Sequence, residues 1–189
     1  PQTPNPKPQT PNPSNLATFM MRPDEFADLR YINFKMGNSP GLDAAPGFAG
    51  AALSTVFANL GAAYGMARAG AGIAGMGQRK PQLIIKCLLP VIMASILGIY
   101  GMIVSVILLK NIDVENYSWY LGYKHLGSGL SCGLSSLAAG YAIGIVGDVG
   151  ARAIAQQDKL FIGMLLILIF AEAIGLYGMI LAIVMATSK

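Results

Sequence analysis

The 189-residue sequence predicts an all-α membrane protein with four transmembrane helices arranged as two duplicated hairpins. Composition, four apolar segments and one superimposing register predict it together. Hydrophobic residues make up 54 % of the chain and charged residues 12 %, about half the charged share of a soluble domain. The net charge of +4 comes from basic residues at helix ends, with no stripe of the kind that tracks phosphates, so no nucleic-acid partner is expected. A positive-inside bias beside membrane lipid accounts for them instead.

Residues 1–40 differ from all that follows. PQTPNP occurs twice within Pro1–Pro13, and such a segment cannot bury enough apolar surface to fold, so a disordered Pro-rich N-terminal extension is expected. It lacks the charged and apolar regions of a secretory signal. Met36 is a candidate start for a shorter proteolipid, with Met20 and Met21 as further candidates.

The four apolar segments run approximately over 46–76, 83–109, 122–155 and 160–186, giving hairpins at 46–109 and 122–186. The first and third are rich in Gly and Ala, the second and fourth in Leu, Ile and Met. A shift of 77 residues lays Gly50 on Gly127, Ser54 on Ser131, Tyr64 on Tyr141 and Tyr100 on Tyr177. The same shift matches GIYGMI (Gly98–Ile103) to GLYGMI (Gly175–Ile180). Membrane proteins built by duplication carry this pattern. Cys87 and Cys132 then fall at opposite membrane faces, too far apart to bridge, and read as buried, unreactive thiols.

Glu172 is the candidate site. It is the one charge in the apolar run Leu160–Met185, which is long enough to cross a hydrocarbon core of about 30 Å with the acid near its middle. An ionisable group there is expensive and marks a functional site; the plainer alternative is a polar contact between packed helices. Under the repeat shift Glu172 falls on Ser95, so each chain supplies one titratable site across four helices. Tyr100, Tyr177 and Ser95 are possible hydrogen-bond partners, and the sequence does not choose among them.

Small-xxx-small spacing at Gly61 and Gly65, and again at Gly140 and Gly144, predicts close helix packing in lipid and suits a curved inner wall. Asp148 and Arg152, spaced i, i+4, are expected to pair at an interface. Arg68 and Lys86 are expected to snorkel to it, and His125 to lie at the opposite interface. No metal-ligand cluster, nucleotide loop or nucleophile–base pair is visible, so no metal or cofactor is expected. The chain is not expected to hydrolyse anything by itself.

Short loops set the orientation. Gly77–Gln82 carries Arg79 and Lys80, and Arg152 and Lys159 flank the link between the last two helices, which puts both hairpin turns in the cytosol and both termini on the far side. The sequon Asn116-Tyr117-Ser118 in the middle loop lies too near the membrane to be used.

FAEAIGLYGMI (Phe170–Ile180), LGAAYGMA (Leu60–Ala67) and YAIGIVGDVGAR (Tyr141–Arg152) closely resemble the 16 kDa proteolipid c subunit of the vacuolar-type proton-translocating ATPase. The resemblance runs over roughly Pro46–Thr187 and favours the principal form or a close isoform; the Pro-rich extension departs from it. It implies a membrane rotor ring of c-type subunits in which the glutamate matching Glu172 carries the transported H⁺. It also implies a stator a subunit with a membrane arginine, central-stalk subunits on the cytosolic face, and a vacuolar or other acidic endomembrane. Desolvation favours a neutral carboxyl, so Glu172 is expected to be protonated against lipid and ionised beside an aqueous half-channel and a cation.

Three alternatives stand beside this reading. A sodium-translocating ring subunit would need several oxygen ligands, yet Gln78, Gln82, Gln156 and Gln157 all cluster at the hairpin turns. A structural pore-forming proteolipid would use the glycine packing but has no evident purpose for the acid. A small secondary transporter would fit the repeats but not the continuous helices.

Overall fold

The computed structural model describes residues 42–113 and 117–188, so the N-terminal extension and Asn116 of the sequon lie outside the described residues. Of the described residues, those from Asp43 onward fall in the unit Asp43–Lys189. Pro46 opens α1 (Ala45–Gly77) at a position where its missing N–H is no loss. A 3-10 turn at Pro81–Leu83 follows, then the single turn α2 (Ile84–Cys87) and α3 (Leu89–Lys110). Ser118 caps α4 (Trp119–Gln156), its hydroxyl accepting from the Leu121 N–H at 3.3 Å. Lys159 precedes α5 (Leu160–Thr187).

The sequence predicts one unbroken second segment, and the structure breaks it. Pro90 has no N–H to give and its ring crowds the carbonyl one turn back. The Leu88 N–H accordingly bonds the Ile85 carbonyl in a tighter turn, at 3.4 Å. The matching position in the second repeat is Ile167, and α5 runs through it without interruption.

Pro81–Lys110, Trp119–Gln156 and Leu160–Thr187 are long and apolar enough to cross a membrane. α1 has the length, 33 residues or about 50 Å, but Gly, Ala and Asn59 dilute its hydropathy. It nevertheless packs along α4 over most of its course, so the four long helices form one membrane bundle with two hairpins.

α1 and α4 touch backbone to backbone. A Cβ added at Gly61 would stand 2.7 Å from the Leu137 Cα, and one at Gly140 would collide with the Gly61 carbonyl. A Cβ on Gly65 would come within 2.8 Å of the Gly140 carbonyl oxygen, and one on Gly144 within 3.0 Å of the Gly65 Cα. Glycine is what permits this approach, as small-residue seams do in lipid. α3 and α5 pack against the pair, enclosing Leu97, Ala139, Ile143 and Leu168, all 0 % exposed. A second cluster holds Val104, Leu108, Cys132 and Ala182. Cys87 and Cys132 are both free and buried.

The duplication is written into the hydrogen bonds. Ser54 Oγ donates to the Gly101 carbonyl at 3.3 Å, and Ser131 Oγ to the Gly178 carbonyl at 3.2 Å. Donor and acceptor are each related to their counterpart by the 77-residue shift. Tyr64 and Tyr141, another matched pair, stack on each other with centroids 5.1 Å apart and planes at 17°.

Candidate functional site

Glu172 lies near the middle of α5 and turns inward. It is 6 % exposed, whereas Phe170 beside it is 72 % exposed. One turn further on, Gly175 lets α5 close on its neighbours: an added Cβ would stand 2.6 Å from Leu97 Cδ2 and 3.5 Å from Ala139 Cβ. The acid is therefore set one turn before a close approach of α5 to α3 and α4.

Tyr100 reaches it from α3. Its phenol O–H donates to Glu172 Oε1 at 2.8 Å, a bond that ties the first hairpin to the second. The adjacent Gly101 fits α3 against α1, where an added Cβ would come within 2.8 Å of the Ser54 carbonyl. Glu172 Oε2 is buried without a hydrogen-bond partner among the described residues. The ion pairs among those residues engage Asp148 and Asp158 rather than Glu172.

The other two hydroxyls do not join the site. Ser95 donates to the carbonyl of Ile92, one turn back on its own helix, at 2.7 Å and is exposed. That bond is local and takes the hydroxyl's one proton. Tyr177 is 69 % exposed, because α5 turns that face away from the bundle. Tyr100 and Tyr177 occupy equivalent places in the repeat, yet the one on α3 faces inward to the acid.

Asp148, 5 % exposed, receives Arg152 Nη2 at 2.7 Å and also Arg68 Nε at 3.4 Å. Arg68 therefore does more than snorkel: it crosses from α1 and pairs as well. Gly72 makes room, since a Cβ there would approach Asp148 Oδ1 to 2.8 Å. Lys86 pairs with Asp158 at 3.5 Å, both side chains being more than half exposed.

His125 lies in the second turn of α4, is 2 % exposed, and its Nδ1 is hydrogen-bonded to the Tyr117 hydroxyl. Burial pushes the Tyr117 phenol above its ordinary pKa. Nearby, Asn111 Nδ2 donates to the Ala186 carbonyl at 3.0 Å, and Ser128 Oγ donates to the Ala182 carbonyl at 2.7 Å. The i, i+3 spacing of Ser128 and Ser131 is the sequence signal for this polar seam between α4 and α5. Among the described residues, no group of three or more His, Cys, Asp or Glu side chains is placed to hold a metal.

Paired helical hairpins with one buried carboxylate midway along the last helix define a duplicated membrane proteolipid. The family model for the ATP synthase C subunit matches residues 49–108 and again 126–185, one match per hairpin and offset by the same 77 residues. The chain is 55 % identical over 142 residues to the 16 kDa proteolipid c subunit of the V-type proton ATPase of Nephrops norvegicus, covering 75 % of this chain and 89 % of that one. The corresponding c 2 proteolipid of Caenorhabditis elegans is 53 % identical over 144 residues, with 75 % and 89 % covered. The Rattus norvegicus 16 kDa proteolipid is 51 % identical over 150 residues, with 79 % and 96 % covered. The chain belongs to the family of V-type proton ATPase 16 kDa proteolipid c subunits.

Proposed function

We propose that this chain is the proton-carrying subunit of the membrane rotor ring of a V-type ATPase, and that Glu172 gains and loses the proton. The observation that carries the reading is the buried Glu172 carboxyl, with one phenolic hydrogen bond and no cation beside it among the described residues. An ionised carboxylate so placed would be costly to bury, whereas the neutral acid is tolerable. Away from the stator, enclosed in the apolar bundle, Glu172 holds its proton. Beside a stator arginine and a water-filled half-channel the ionised form becomes stable, and the proton leaves. Rotation driven by ATP hydrolysis on partner subunits carries the acid between the two surroundings.

The partners are other c-type copies in a ring, the stator a subunit with its membrane arginine, and central-stalk subunits on the cytosolic face. Arg79 and Lys80 at the first hairpin turn support a cytosolic placement of the turns by the positive-inside bias, in a vacuolar or other acidic endomembrane. Protons are favoured over sodium because a single hydroxyl reaches the acid among the described residues, where a hard cation needs several oxygens.

Replacing Glu172 by Gln keeps size and packing and removes the titration. The Glu172→Gln protein should assemble into the complex while ATP-driven acidification of reconstituted vesicles falls to background. Appreciable pumping by that variant would end the proposal.

A further inference from the structure

The basic end of the bundle holds a pocket that neither the proton site nor the helix seams use. Where α1 and α4 end, Gln78, Arg79 and Lys80 of the first hairpin turn and Arg152 and Gln156 of α4 line a cavity of about 560 Å³, together with Gly75. An added Cβ at Gly75 would meet nothing within 4 Å, so the cavity stays open there. No acid among the described residues lines it. Asp148, which pairs with Arg152 Nη2, is 5 % exposed and belongs to the bundle interior. A guanidinium has five N–H donors, so Arg152 keeps others for a second anion. Arg79 and Lys80 form no ion pair among the described residues. Asp158 shares an adjoining hollow with them, but its carboxylate pairs with Lys86 at 3.5 Å.

Cations near helix C-termini also offset the helix dipole. Here main-chain groups already answer the terminal carbonyls. The Arg79 and Lys80 N–H groups both bond the Met76 carbonyl, at 2.9 and 3.0 Å, and the Gln157 N–H bonds the Ala153 carbonyl at 3.0 Å. The cationic side chains are left to an outside anion. Their convergence suits a phosphomonoester, which carries a charge of about −1.5 to −2 near neutral pH. Arginine forks take phosphate oxygens in pairs, and the amides of Gln78 and Gln156 both donate and accept, as hydroxyls require.

The level of the pocket points to lipid. It lies where the apolar span Trp119–Gln156 ends and Pro81–Lys110 begins, and basic pockets between membrane helices at that level receive lipid phosphates. Tyr141, Ile145, Val149, Arg152 and Gln156 follow one another three or four residues apart, so they share one face of α4. Ile145 is 39 % and Val149 62 % exposed, giving an apolar strip from the pocket down to the stacked Tyr64 and Tyr141. Between Gly75 and Tyr64 α1 descends about 16 Å, half of a hydrocarbon core of about 30 Å and so the depth of one leaflet.

We propose that this pocket binds a membrane lipid whose polyol headgroup carries phosphomonoesters, as in the phosphatidylinositol phosphates, with Arg79, Lys80 and Arg152 on the phosphates and Gln78 and Gln156 on the hydroxyls. Only the assignment to the cytosolic leaflet rests on the proposed placement of the hairpin turns.

The test incubates the full-length protein with equal amounts of phosphatidylinositol bisphosphate, phosphatidylglycerol and phosphatidylcholine and measures retained lipid by native mass spectrometry. The bisphosphate lipid should be retained in preference to the others. Arg79→Gln and Lys80→Gln, both in an exposed turn, should each lower its retention about fivefold. Lys159→Gln, an equal loss of charge outside the pocket, should leave it unchanged. Equal retention of all the lipids, or an equal loss in Lys159→Gln, overturns the site. Inositol trisphosphate binding as tightly as the whole lipid overturns the lipid source. Retention abolished when the cytosolic partner subunits are attached overturns it too, since a protein then covers the pocket. Glu172→Gln pumping is measured separately, so failure of this site and failure of the proton-carrier reading are distinguished.

Discussion

The Tyr100 hydroxyl donates to Glu172 Oε1 at 2.8 Å across the boundary between the two hairpins. The donor belongs to the repeat that lacks an acid and the acceptor to the repeat that has one. The duplication has thus produced a division of labour: one hairpin holds the carboxyl and the other orients it.

Tyr100→Phe deletes only that hydroxyl. A hydrogen bond of this kind is worth about 1 kcal/mol net, roughly a fivefold change in an equilibrium. The variant is expected to assemble, to pump several-fold more slowly, and to shift the pH profile of carbodiimide labelling at Glu172. A purely structural tyrosine would leave the labelling profile where it was. Ser95→Ala, which removes only a local bond, should match wild type in both measurements.

Gly61→Leu forces a branched side chain into the backbone of α4. Overpacking of a tight seam costs about 1–3 kcal/mol, more where no side chain can yield. Here the obstacle is main chain, so the protein is expected to lose cooperative thermal unfolding in detergent. Gly163→Ala is the control: nothing lies within 4 Å of its added Cβ, and replacing this glycine in the first turn of α5 should leave stability unchanged or raise it by up to about 1 kcal/mol.

Asp148→Asn leaves the shape and removes the charge that Arg68 and Arg152 share. Both arginine side chains are more than half exposed, so solvent screens them and the expected loss is only about 1–2 kcal/mol. A drop in Tm of a few degrees is the readout, and it should shrink in high salt.

Burial raises the Tyr117 phenol above its ordinary value, so the folded protein holds that proton at a pH where the unfolded chain releases it. The stability gained is complete below the unfolded pKa of about 10 and is lost as pH rises toward the folded value. Thermal melts of wild type should therefore fall more steeply with pH above about 10 than those of Tyr117→Phe. Parallel slopes would show that the buried phenol does not contribute.

Much of the bundle is legible in the sequence because lipid leaves few choices. Glu172 stands out against an uncharged background, and the 77-residue register exposes the hairpins and their glycine seam directly. The direction of a side chain about its helix is harder to read. Tyr100 and Tyr177 are equivalent in sequence and opposite in orientation, since each helix meets a different set of neighbours. Pro90 breaks the second segment although the apolar pattern runs straight through it. The position of His125 near a helix entry is legible in the sequence; its burial and its hydrogen bond with Tyr117 are not, because they depend on tertiary packing.

The pairing of a serine with an acid at matched places has a mechanical consequence for the proposed rotor. A ring of such chains has half as many titratable stations as it has hairpins, so a full turn moves half the cargo that an acid in every hairpin would move. The same chemical work per revolution is then concentrated on fewer ions, and each can be driven against about twice the opposing gradient. With one carboxylate to every two hairpins, the proposed rotor would run in a lower gear.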